Sequence, residues 1–254
     1  MSAHAKQADW NYLVDTATPT ATDRPARFVP ELLGALPEPA RRWLTHAIAP
    51  GTPLASAVEL TMRGQIRLGT WRPFTARQIL AVPAGFVWAA TARVAGLPVV
   101  GFDSYLRGTG AMRWRILGLL PVVSEDGPDV TRSAAGRLAA ESTALVPTGF
   151  RHACWTPGSD DSTAVAVWHI GGDRQAVELH VRPDGGLAGL LMQRWGNPDG
   201  QPFGRYPFGV TVEAEQRFHG ICIPAVFRAG WWWGTDRQTD GEFFRAEITA
   251  ATFT

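Results

Sequence analysis

Apolar and polar residues alternate with period two from residue 58 onward. Val58, Leu60, Met62, Ile66 and Leu68 fall on one side, and Glu59, Thr61, Arg63, Gln65 and Arg67 on the other. A strand with one buried face produces this pattern, because successive side chains point to opposite sides of the pleat. Comparable runs span 74–82, 86–94, 99–107 and 111–117, the last setting Met112, Trp114 and Ile116 against Arg113 and Arg115. Short connections rich in Pro and Gly join them, which points to an antiparallel meander and not to strand–helix–strand units. Further runs at 162–170, 175–182, 187–195, 210–219, 221–229 and 243–250 carry the pattern towards the C-terminus.

The alternation breaks once, at 131–146, where an Ala-rich stretch reads as a helix. Ahead of the first strand, Leu36, Ala40, Trp43, Leu44, Ala47 and Ile48 recur at helical spacing, with Pro39 in the first turn where a missing N–H costs nothing. A long sheet with one internal helix tends to curl around it. The expected fold is therefore mainly β (α+β), a long curved antiparallel sheet or open half-barrel wrapped around one internal helix, with a short N-terminal helix. Residues 1–27 are expected to form a flexible tail and residues 28–254 a single β domain with a ligand cavity.

One hairpin permits a finer expectation. Gly171-Gly172-Asp173-Arg174 separates two strand patterns, and a two-residue loop at Gly172-Asp173 pairs Val165 with His180. Trp168 and Leu179 then lie on the apolar face, whereas Glu178, His180 and Arg182 look outward. That placement speaks against reading the His/Glu group as a metal site.

Charge and composition narrow the function. With 24 Lys+Arg against 23 Asp+Glu, the formal charge of +1 favours neither nucleic acid nor an anionic membrane as partner. No apolar run approaches the roughly 20 residues of a membrane-spanning helix. The first 22 residues are polar and lack the basic-then-apolar order of a signal peptide, so the expected location is cytoplasmic. Lys6 is the only lysine. A core Schiff-base lysine and a P-loop are both excluded by that fact. Cys154 and Cys222 have no metal-site spacing and read as reduced thiols, so neither a metal nor another cofactor is expected. Gly108-Thr109-Gly110 has no helix after it and reads as a tight turn.

Four segments carry a resemblance: 36–43 (Leu-Pro-Glu-Pro-Ala-Arg-Arg-Trp), 71–78 (Trp-Arg-Pro-Phe-Thr-Ala-Arg-Gln), 137–141 (Arg-Leu-Ala-Ala-Glu) and 220–224 (Gly-Ile-Cys-Ile-Pro). Together they resemble the landmarks of a bacterial family of unknown function over residues 28–254. In layout the chain is also similar to the lipoprotein-carrier fold of periplasmic lipid chaperones. The resemblance implies a half-barrel over a helix and brings no activity with it.

The chemistry must then come from side chains set in the cavity. The chain holds 11 Trp, 12 Phe and 3 Tyr, and the unbroken Trp231-Trp232-Trp233 cannot bury every ring on one sheet face. Trp71, Trp88, Trp114, Trp155, Trp195, Trp231 and Trp233, with Arg137, are the candidate ligand-binding residues. Glu141 stands one helical turn beyond Arg137 among small or apolar neighbours, where burial raises a carboxyl pKa and the arginine lowers it. Asp103 and Tyr105 share one face of an otherwise apolar strand. The first expectation is a cofactor-independent acid/base enzyme, a cyclase, isomerase or hydrolase, acting on an apolar small molecule with Glu141, Asp103 and Tyr105 as catalytic groups. No Gly-x-Ser-x-Gly elbow accompanies them. The alternative is a non-catalytic soluble protein that binds a lipid or another apolar molecule, with Arg137 and Glu141 structural. A protein without a cavity, its tryptophans fully packed, is the third reading.

Overall fold

The computed structural model describes residues 3–17 and 26–254. Among them, thirteen strands form one antiparallel sheet whose order follows directly from the meander. Strands β1 (Ala57–Leu68), β2 (Thr70–Ala81), β3 (Gly85–Val94), β4 (Leu97–Leu106), β5 (Thr109–Ile116) and β6 (Leu120–Asp126) step outward from the centre to one edge. Strand β7 (Cys154–Pro157) forms the opposite edge. From there β8 (Thr163–Ile170), β9 (Asp173–Val181), β10 (Leu187–Gly196), β11 (Gly204–Phe218), β12 (Ile221–Trp231) and β13 (Glu242–Phe253) step back, and β13 pairs with β1.

This topology gives the internal helix its place. The chain must cross from the β6 edge to the β7 edge, and α3 (Pro128–Leu145) makes that crossing over one face of the sheet. Pro128 occupies its first turn, where the missing N–H costs nothing. The helix touches β2, β4 and β5 of one half and β8, β9, β10 and β12 of the other, so the sheet curves around it. Small residues permit the close approach. Ala135, Ala139 and Ala140 are buried, and a Cβ on Gly110 of β5 would lie 2.7 Å from the Thr131 Cα. Polar pins fix the depth: Trp168 Nε1 donates to Thr143 Oγ1 at 2.9 Å, and Gly110 N–H donates to Thr131 Oγ1 at 3.0 Å.

The short helix α2 (Glu38–Ala47) packs on β8, β9 and β12, burying Trp43 and Leu44. The remaining differences from the sequence expectation have local causes. Strand β6 escapes the alternation because, at an edge, Leu120, Pro121, Val122 and Ser124 are all exposed, and Pro121 needs no ladder bond there. Strand β7 is only four residues long. The β8–β9 turn is Gly171-Gly172, with φ of +62° and +82°, so Val165 faces Glu178 and the register lies two residues from the expected one. A two-residue shift preserves the faces. Trp168 and Leu179 are buried, and the His180 side chain is 43% exposed.

Of the expected tail over 1–27, residues 1–2 and 18–25 lie outside the described residues, and residues 3–17 form a helix. Helix α1 (Ala3–Ala17) lies on the outer face of β2 and β3, with Leu13 fully buried against Ala57, Ile79 and Val87. The physical reason lies in β2, whose apolar run 79–81 is unbroken by a polar residue. A strand covered on both faces reads this way. Arg107 stacks on the Tyr12 ring at 4.1 Å and Arg77 over Trp10 at 5.2 Å.

Candidate functional site

Between α3 and the concave face lies a cavity of about 320 Å³. Met62, Leu190, Val212, Phe227 and Phe244 give it apolar walls, and Ala140 and Ala144 of α3 form part of its cover. The inward positions of β2, β3 and β4 bring Gln78, Trp88 and Asp103 side by side, since Gln78 pairs with Trp88 and Trp88 with Asp103. Opposite them α3 presents Ser133, Arg137 and Glu141, one helical turn apart.

The polar groups interlock. Arg137 donates from Nε to Glu141 Oε1 at 2.7 Å and from Nη1 to Asp103 Oδ2 at 3.2 Å. Trp114 Nε1 donates to Asp103 Oδ1 at 2.9 Å, and Gln78 Nε2 donates to Glu141 Oε2. Each of the four carboxylate oxygens thus accepts a hydrogen bond. The Arg137 guanidinium also lies 4.6 Å from the Phe86 ring centre and 5.2 Å from that of Trp88. Burial pushes the Asp103 carboxyl above the usual carboxylate range, against the opposing pull of Arg137 and of the Trp114 hydrogen bond. Trp114 reaches Asp103 by lying over Gly101, where a Cβ would come within 2.4 Å of its ring.

A second cation stands apart. Arg194 of β10 places its guanidinium 4.7 Å from the Phe208 ring centre and 5.4 Å from that of Trp231. It donates from Nε to the Ser133 carbonyl at 3.2 Å and from Nη2 to Ser133 Oγ at 3.4 Å. Burial, with Arg137 nearby, pushes it down to about 10, so it remains charged at neutral pH.

The structure brings Asp103, Arg137, Glu141, Trp88 and Trp231 to the cavity, with Trp114 beside it through Asp103. Five expected residues lie elsewhere. Tyr105 shares the face of Asp103 but packs in the core with its hydroxyl against the Gly171 turn, where a Cβ would come within 2.7 Å of it. Trp71 lies under the Arg245 guanidinium at 4.3 Å. Trp155 packs on Trp43 and donates to the Phe150 carbonyl. Trp195 donates to Asp129 at the start of α3 and is stacked by Arg132. Trp233 lies over Gly209. The Trp231-Trp232-Trp233 run resolves as steric reasoning requires: Trp232 takes φ +59° and its ring leaves the sheet, donating to Asp199 Oδ2 at 2.8 Å.

Arg194 and Gln78 escaped the sequence reading, although a signal for both exists. Arg194 follows Leu190 and Met192 at period two, and Gln78 follows Phe74 and Ala76, so each continues an inward-facing apolar row. Away from the cavity, His46, Glu215 and Cys222 bring ligand atoms within 4.8 Å of one another. Arg182 donates to the same Glu215 oxygen that faces His46, at 2.8 Å, and so puts a positive charge beside that cluster.

No helix among the described residues is long and apolar enough to cross a membrane. Solved structures of similar layout include a domain named for outer membrane lipoprotein sorting from Vibrio parahaemolyticus, 9% identical, with a TM-score of 0.42 over 78% of this chain and 86% of that one. A LolA superfamily protein from Nitrosomonas europaea is 11% identical, with a TM-score of 0.40 over 79% and 86% of the two chains. A DUF1329 family protein from Desulfovibrio piger is 10% identical, with a TM-score of 0.36 over 78% and 86%. No curated protein matches the sequence significantly. The family resemblance carried by residues 36–43, 71–78, 137–141 and 220–224 is borne out, for the model of the family of unknown function DUF6920 matches residues 34–253 and the chain belongs to that family.

Proposed function

We propose that the protein binds an apolar small molecule between α3 and the sheet and releases it unchanged. The observation that carries this reading is the pairing of an apolar-walled cavity of about 320 Å³ with carboxylates already engaged on every oxygen. Its volume lies near the lower end of the roughly 300–1,000 Å³ usual for small-molecule sites. Catalysis by Glu141 with Asp103 and Tyr105 is supported less well, because Tyr105 is turned to the Gly171 turn and Glu141 is held between Arg137 and Gln78.

The test is a titration with the neutral fluorescent probe N-phenylnaphthylamine. Saturable enhancement is expected with the wild type and is abolished by Ala140→Trp, which fills the cavity from the helix side. Ala229→Phe fills it from β12 and serves where the first variant folds poorly, folding being checked by circular dichroism. Absence of saturable binding, or equal binding by a folded filling variant, overturns the reading.

A further inference from the structure

Arg194 is a half-buried cation in a mostly apolar space, and such a charge is costly unless an opposite charge meets it. Both cavity carboxylates are taken by Arg137, whose Nε and Nη1 hold Glu141 and Asp103. Among the described residues, no carboxylate lies within ion-pair distance of Arg194, and its hydrogen bonds run only to the neutral Ser133 from Nε and Nη2. Nη1 makes none. The rings of Phe208 and Trp231 offer it partial compensation through their faces. Ser133 also lines the cavity, and its hydroxyl, an acceptor towards Arg194, keeps its own proton to donate.

Two donors, one of them cationic, therefore adjoin the apolar space; Glu141 and Asp103 act on Arg194 only from beyond ion-pair distance, and no carboxylate among the described residues touches it. We infer that the ligand is an amphiphile whose apolar chain or ring fills the cavity and whose terminal anionic oxygens, of a carboxylate or a phosphate monoester, meet Arg194 Nη1 and the Ser133 hydroxyl. This rests on the proposed binding function and adds the chemical class of its ligand. Arg194 is the binding residue, and Arg137, its charge consumed by Asp103 and Glu141, is structural.

The test compares decanoate, decyl phosphate and decanol by displacement of N-phenylnaphthylamine, on the wild type and on Arg194→Gln. A charge-assisted hydrogen bond in a water-poor site is worth about tenfold or more in affinity. At least one of the two anions is expected to bind the wild type about tenfold more tightly than decanol, and which one does so identifies the head group. Arg194→Gln is expected to erase that preference, lowering the affinity of the preferred anion about tenfold more than that of decanol. Arg194→Met keeps the stem packed over Phe208 and Trp231 and replaces the Gln variant where that one unfolds. Equal affinity of all three ligands for the wild type, or a preference that survives in the variants, overturns the inference while leaving apolar binding intact. Anion and decanol affinities falling together in both variants would make Arg194 a structural cap of Ser133 and also overturn it. Failure of all three ligands to displace the bound probe overturns the inference, whereas failure of the probe itself to bind removes the binding function.

Discussion

Arg137 grips Glu141 one turn further along α3, with Nε 2.7 Å from Oε1, although arginine before glutamate is the less favourable order for such a pair on a helix. Tertiary partners make up the difference. Asp103 holds the other end of the guanidinium and Gln78 the other oxygen of the carboxylate, so the pair ties the helix to β2 and β4. Glu141→Gln is therefore expected to lower stability by about 1–3 kcal/mol by leaving Arg137 short of a charge partner. Urea unfolding measures the loss. Its companion outcome is unchanged affinity for an apolar probe, whereas intact stability would mean that the ion pair does not hold the helix.

Asp103 gives the stability of the protein a pH dependence of defined sign. Its folded pKa is raised above the ordinary 3.8, chiefly by burial, so the fold favours the protonated form. The contribution is fully present below pH 3.8 and is lost as pH rises through the higher folded value. Asp103→Asn cannot ionise and keeps an acceptor for Trp114. Denaturation midpoints of the two proteins from pH 4 to pH 7 are expected to diverge in favour of the variant as pH rises. A difference that does not vary with pH would contradict the assignment.

Ala139 is fully buried where α3 crosses the sheet. Three further carbons cannot be accommodated without moving the helix off its strands, and Ala139→Leu is expected to cost about 1–3 kcal/mol. For a domain of this size that lowers the thermal midpoint by roughly 2–4 °C per kcal/mol. An unchanged midpoint would mean that the helix does not pack as closely as its small residues allow.

Much of this arrangement is legible in the chain, and the exceptions share a cause. The alternation of β1, the Ala-rich α3 and the faces of the β8–β9 hairpin are local patterns and read directly, even though the hairpin register differs by two residues. Asp103, Arg137 and Glu141 were legible as polar residues in apolar settings, and Arg194 follows the same rule on β10. The tryptophans were not, because residue type says that a ring is buried and not against what. Trp71 lies under Arg245 and Trp155 against Trp43, pairings of residues far apart in sequence that only the folded sheet determines. Helix α1 is not legible for a related reason. Its own segment is polar, and the apolar surface receiving it belongs to Ala57, Ile79 and Val87.

Calorimetric titration of the wild type with decanol at several temperatures shows whether the space under α3 takes up an apolar molecule. Burial of apolar surface carries a negative heat-capacity change. Saturable binding of one decanol per chain is expected, with an enthalpy that grows more negative on warming. Heat that never saturates, or an enthalpy independent of temperature, would contradict it.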